Sequence, residues 1–217
     1  MSAPSAVDGN LACIHISSAG YSAKLLLERA VGVVLLITFS PLLLIFALLI
    51  RLDSPGPALF RQSRYGLGNE TFEMLKFRTM RLEGCDPSGR LQTADADARI
   101  TRFGWFLRVT SLDELPQLVN VIRGEMALIG PRAMPSSMMV DGVPCEVAVP
   151  SYPLRHRVKP GITGLAQVSG SRGPVRDVAA LRHRTELDNR YIDDWSPGLD
   201  LRILVRTVGV VLKGTGG

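Results

Sequence analysis

Residues 30–50 read AVGVVLLITFSPLLLIFALLI, 21 consecutive positions without a charge. A bilayer crossing takes about 20 apolar residues, so the run is long enough to span. Ser40 and Pro41 stand at its centre. Proline removes one backbone hydrogen bond and clashes with the preceding turn, so the pair predicts a kink or break. The Ser40 hydroxyl could bond back to a carbonyl of that turn and stabilise the bend. Two objects fit: a kinked transmembrane anchor, or a re-entrant helix that leaves on the side it entered. Lys24 and Arg29 precede the run, and Arg51, Arg61, Arg64 and Lys76 follow it. Cytoplasmic flanks carry the excess of Lys and Arg. A crossing would put one basic flank on the wrong side, so the charge symmetry favours the re-entrant form. A secretory signal fits less well, because the run starts late and no small-residue cleavage site follows.

Outward from this run the chain divides into three. Residues 1–22, rich in Ala, Ser and Gly, read as a flexible tail. Residues 23–53 hold the membrane helix, and residues 54–217 suffice for one domain with its own core. The net charge of +5 suits an anionic membrane surface or a nucleotide. Nucleic acid is the weakest of the candidate partners and is not expected: aromatics are 6% and no zinc-finger, homeodomain or RNA-recognition signature occurs. Cys13, Cys85 and Cys145 are odd in number without metal-type spacing, which points to free thiols in a reducing compartment.

The soluble part reads as α+β, mainly helical. Ala58–Arg64 and Thr71–Phe77 flank Gly66-Leu67-Gly68-Asn69 and predict a β-hairpin. Glu83 to Ala98 reads as an exposed loop. Ser111 to Ile122 predicts a helix with Ser111 and Glu114 as a capping box. Met126–Ile129 is a short apolar run ended by Gly130-Pro131, and Lys159–Gly173 reads as a glycine-rich loop that could approach a ligand closely. Val175–Trp195 is expected to be helical. The apolar element Leu199–Leu212 is too short and basic to span; it either packs on the domain or lies in the membrane interface.

Asp113 and Glu114 are the candidate catalytic pair. They could simply cap a helix. The same position also attracts phosphate, and an ionised Asp there could attack a phosphoryl group. Glu114 could then orient it or help hold a divalent metal. Lys76, Arg78, Arg108, Arg132 and Arg172 each end an apolar element or lie in the glycine-rich loop, and as a set they would suit a pyrophosphate clamp. Asp188 falls on an apolar stripe with Leu181, Ile192 and Trp195, where an acid usually pairs with a buried Arg. His15, His156 and His183 show no triad or metal pattern, and His156 reads as a surface position.

These residues together resemble the monotopic phosphoglycosyl transferases, the bacterial sugar transferase family. The matching segments are Ser40-Pro41, Lys76-Phe77-Arg78-Thr79-Met80, Thr101-Arg102-Phe103-Gly104 and Leu107-Arg108. Further on come Ser111-Leu112-Asp113-Glu114-Leu115-Pro116-Gln117-Leu118, Gly130-Pro131-Arg132 and Pro160 to Val168. The likeness covers roughly Leu25 to Leu212 and is highly specific in its order. The chain departs from the family at Ala133, often Pro, and at Val31-Gly32, where an Asp is frequent. Arg172 stands one place later than the usual Gly-Arg.

The resemblance implies transfer of a sugar 1-phosphate from a UDP-sugar to undecaprenyl phosphate, with release of UMP and an aspartyl-phosphosugar intermediate. It implies Asp113 as nucleophile and metal contact, Glu114 as its partner, and Lys76, Arg108 and Arg132 as phosphate-site residues. Mg²⁺ is the implied cofactor. The Gly170–Gly173 stretch and the helix to Trp195 look like the branch that initiates exopolysaccharide and O-antigen synthesis. The implied setting is the bacterial inner membrane, with one re-entrant helix broken at Ser40-Pro41, interfacial amphipathic helices and the catalytic domain on the cytoplasmic face. The chain is expected to be the minimal catalytic form, with its apolar C-terminal element available as a contact for a second copy. The sugar itself is not specified.

Overall fold

The computed structural model describes residues 19–82 and 97–212. Most of the expected tail, the bulk of the Glu83–Ala98 loop, Cys13, Cys85 and His15 lie outside the described residues. The first element, α1 (Ala19–Asp53), is a helix of 35 residues and the one described helix long and apolar enough to cross a membrane. It begins inside the segment expected to be tail, because Tyr21 packs edge-on against Trp195. The expected break at Ser40-Pro41 is not an interruption: helix continues through Pro41. Pro41 has no N–H to give to the carbonyl four residues back, that of Ile37, and the Ser40 hydroxyl donates to that same carbonyl at 2.8 Å. Serine thus satisfies the acceptor that proline frees.

The hairpin forms as expected from β1 (Leu59–Tyr65) and β2 (Thr71–Phe77), antiparallel, with Phe60 opposite Lys76 and Gln62 opposite Met74. Next comes α2 (Arg102–Val109), capped by the Thr101 side chain, which accepts from the Gly104 N–H. A short 3-10 turn, Leu112–Glu114, then leads to α3 (Gln117–Arg123). The capping box predicted at Ser111 is absent. Ser111 is left-handed (φ 57°) and its side chain caps nothing. Pro116, tolerated only at a helix start, delays α3 to Gln117.

Strand β3 (Ala127–Ile129) is the expected apolar run. The hairpin β4 (Met139–Val140) and β5 (Val143–Pro144), the single turn α4 (Cys145–Ala148) and a 3-10 stretch, Tyr152–Arg157, follow it. The glycine-rich segment is not one loop: it contains β6 (Gly161–Thr163), parallel to β3, and α5 (Leu165–Val168). Two of its glycines admit backbone rather than ligand, since a Cβ on Gly161 would run into the Gly130 N–H, and one on Gly164 into the Gly130 carbonyl. The chain ends in α6 (Val178–Asp193), with Asp177 as N-cap, and α7 (Pro197–Leu212).

Apolar packing holds α1 on the domain along its length. Tyr21 belongs to a cluster with Ile129, Tyr191 and Ile203. Phe46 and Ile50 cluster with Phe77 and Leu107, and Gly32 faces Val121 and Ile122 of α3. Lys24 and Glu28 add a buried polar junction. Lys24 Nζ lies 2.5 Å from Glu28 Oε1, 2.9 Å from the Ile129 carbonyl and 3.1 Å from Asp200 Oδ2. Glu28 also accepts the Leu128 N–H, on the edge of β3 away from β6.

Candidate active site

The turn carrying Asp113 is set from both sides. Helix α2 ends at Val109, and Ser111 reverses the chain through a left-handed conformation that costs a non-glycine residue about 1–3 kcal/mol. On the other side Asn120, fully buried on α3, accepts the Leu75 N–H and donates to the Glu73 carbonyl. It acts on β2 as a neighbouring strand would, and so fixes Lys76 relative to Asp113.

All seven expected catalytic and phosphate-site residues border one cavity of about 1310 Å³. Their engagements differ. Glu114 is held by Arg132, whose two terminal nitrogens lie 2.5 and 3.3 Å from its carboxylate oxygens. Asp113 has no hydrogen-bond or ion-pair partner among the described residues, although it is only 8% exposed. Arg108 has none either, and Lys76 only lies over the Phe60 ring at 5.2 Å. Arg172 gives its Nε–H to the Gln167 carbonyl, which leaves its terminal nitrogens unengaged among the described residues. Arg78 stands apart. It is 2% exposed and donates to the carbonyls of Ile50, Ser54 and Pro55, so its guanidinium caps the end of α1 instead of facing an anion.

The two carboxyls are driven in opposite directions. Burial and the neighbouring Glu114 charge push Asp113 up to about 6, against the opposing pull of Lys76 and Arg108. Burial also raises Glu114, but the Arg132 charge and hydrogen bonds outweigh it and hold the group below its ordinary value. Adjacent carboxyls set apart in this way divide naturally into roles. The cations are strained too. Burial and Arg64 lower Lys76 to about 8, while burial and Arg132 lower Arg64 to about 9. A cluster of desolvated like charges is relieved by an incoming polyanion.

Sequence reading missed Arg64, Asn120 and Arg184. Arg64 donates to the Ala133 carbonyl and to Gln62 and borders the cavity. Its signal was strand alternation, which places Phe60, Gln62 and Arg64 on the face that carries Met74 and Lys76. Arg184 binds the Ser171 hydroxyl and the Gly173 carbonyl, each at 3.1 Å, and holds the loop bearing Arg172. Asp188 pairs with a buried Arg as expected: it receives Arg155 Nε–H at 3.1 Å, and Arg155 also donates to the Arg132 carbonyl. His156 is not at the surface. It is 7% exposed, its Nδ1 lies 2.5 Å from Asn69 Oδ1, and burial drives it down to about 3.

An implied Mg²⁺ can be tested against these side chains. Among the described residues no group of three or more His, Cys, Asp or Glu could form a protein cage. A Mg²⁺ ion commonly takes one or two carboxylates plus substrate phosphates. An unpartnered Asp113 beside a cationic cavity fits that second arrangement.

Comparison with known proteins agrees in one direction. The model of the family described as bacterial sugar transferase matches residues 19–214. The exopolysaccharide production protein PSS of Rhizobium leguminosarum bv. phaseoli is 47% identical over 173 residues, covering 80% of this chain and 86% of that protein. A UDP-glucose:undecaprenyl-phosphate glucose-1-phosphate transferase of Caulobacter vibrioides is 47% identical over 191 residues, 87% of this chain and 69% of that one. An Escherichia coli protein of the same name is 42% identical, over 84% of this chain but only 39% of its own length. With a match that takes in all the described residues and these identities, the chain belongs to the bacterial sugar transferase family.

Proposed function

We propose that this transferase moves a sugar 1-phosphate from a UDP-sugar to undecaprenyl phosphate in exopolysaccharide or O-antigen synthesis. The relatives' names support the donor and acceptor classes. The observation that carries the mechanism is the contrast within the dyad: Asp113 is buried at the cavity without a partner among the described residues, and Glu114 is bound by Arg132. A carboxylate oxygen of Asp113 attacks the phosphorus bonded to the sugar. The bond from that phosphorus to the bridging oxygen breaks, and UMP leaves with the bridging oxygen. An oxygen of the acceptor phosphate then attacks the aspartyl-phosphosugar, forms the diphosphate and returns the carboxylate. Lys76, Arg108, Arg132 and Arg172 hold the phosphate oxygens and balance charge as it shifts. Asp113 and the substrate phosphates would hold Mg²⁺, which would neutralise diphosphate charge.

The reading places α1 as a re-entrant element in the bacterial inner membrane, bent near Ser40-Pro41, with the catalytic domain on the cytoplasmic face. Domain contacts along α1 support this. Between the contacts at Gly32 and Leu42 lie only nine residues, whereas a crossing needs about 20. The outer face of α1 (Ile37 68% exposed, Leu44 72%) is left for lipid, and Trp105 of α2 and Val205 of α7 are exposed as interfacial anchors would be. The test is UMP release across a panel of UDP-sugars with undecaprenyl phosphate. Asp113→Asn should reduce turnover at least about 10³-fold, as expected when a nucleophile is removed. Normal turnover by that variant would sink the proposal.

A further inference from the structure

The cavity does not end at the cations. It continues along one side of α1 past Phe39, Leu35, Val31 and Leu27, and across to Leu201 and Leu204 of α7. The four α1 residues recur at four-residue spacing, which sets them in one row up the helix. Twelve residues at 1.5 Å rise make that row about 18 Å long. Leu201 and Leu204, spaced by three, supply the facing edge and are 62% and 47% exposed. The whole cavity, about 1310 Å³, exceeds the range of roughly 300–1,000 Å³ usual for a small ligand. A sugar nucleotide alone would leave this apolar wing empty.

We propose that the cleft between α1 and α7 is the binding groove for the acceptor's isoprenoid chain, a reading that rests on the function proposed above. The occupant follows from continuity. One end is a cluster of cations around Asp113, and the other is a row of aliphatic side chains on a helix apolar enough to enter a bilayer. A ligand that satisfies both is an anionic head on a long hydrocarbon chain. The junction of Lys24, Glu28 and Asp200 fixes the two walls, because Lys24 of α1 bonds Asp200 of α7. The groove therefore keeps its width without a ligand in place. Held there, the chain would present its phosphate to the phosphosugar on Asp113 at a fixed depth.

Val31→Trp and Leu204→Trp, made singly in the full chain in nanodiscs, fill the groove from opposite walls. Both native side chains are partly exposed, so neither change disturbs a closed core. Undecaprenyl phosphate and geranyl phosphate serve as long and short acceptors, with a UDP-sugar that labels the wild type. The groove predicts a KM for undecaprenyl phosphate raised at least about tenfold, 1.4 kcal/mol in binding. The KM for geranyl phosphate and the rate of adduct formation should change less than about twofold. Leu44→Trp, on the outer face of α1 and not among the residues that line the cavity, should behave as wild type. An unchanged KM for the long acceptor would mean that its chain stays in bulk lipid, and would overturn the assignment. So would equal losses with both acceptors and in adduct formation. Failure of the underlying reading looks different: the wild type itself would then form no adduct with any UDP-sugar.

Discussion

Asp113 is costly to the fold in the ionised form that the proposed chemistry requires. Its carboxyl is pushed up from 3.8 to about 6, chiefly by burial. The folded state therefore binds a proton more tightly than the unfolded chain, and stability falls as pH rises from about 4 to about 6. A rise of that size corresponds to roughly 3 kcal/mol at most. Asp113→Asn should unfold at higher denaturant than wild type at pH 7.5, by on the order of 1–3 kcal/mol, and the advantage should vanish below pH 4. Equal stability at pH 7.5 would show that the carboxylate is not held against its preference. A plain helix cap would behave in the opposite way, losing stability when the acid is removed.

At the scale of elements, the junction between α1 and β3 decides whether the long apolar helix and the site move as one. Glu28 accepts the Leu128 N–H and the ammonium of Lys24, and Ile129 leads through Gly130-Pro131 to Arg132, which holds Glu114. Glu28→Leu leaves that N–H unpaired and weakens the hold on a buried ammonium, a change that typically costs about 3–5 kcal/mol. Lys24→Met combined with Glu28→Leu should not recover the loss, since the Leu128 N–H stays unpaired and the buried Asp200 then loses its cation. Chemical denaturation in detergent measures both. A single variant as stable as wild type would show that the junction is incidental. None of this was legible in the sequence. Lys24 reads there as a flanking charge, and apart from Glu28 one turn on, its partners, Asp200 and the Ile129 carbonyl, are far away along the chain.

For the whole molecule, the sequence carried the hairpin, the long helix and the choice of Asp113, Glu114, Lys76, Arg108, Arg132 and Arg172 as candidates, while their meeting at one cavity is visible only in the structure. Those features rest on local patterns and on ordered motifs. What it could not carry depends on partners distant in sequence: Arg78 turned to the carbonyls at the end of α1, Asn120 bonded to β2, His156 buried against Asn69. The capping box failed for a local reason, since Pro116 and a left-handed Ser111 displaced the helix start. Membrane topology is a property of this same scale. With the three native cysteines replaced, single cysteines at Ser22 and Arg51, both exposed near the ends of α1, should react with an impermeant thiol reagent only from the cytoplasmic side. Labelling of either from the periplasm would defeat the re-entrant arrangement.

The covalent role of Asp113 is the centre of the account, and mass spectrometry of the protein mixed with UDP-sugar and no acceptor tests it most directly. The predicted result is one sugar phosphate per chain, on the peptide containing Asp113, formed with one equivalent of UMP and discharged when undecaprenyl phosphate is added. Sustained turnover without such an adduct, or an adduct on any other residue, would contradict it.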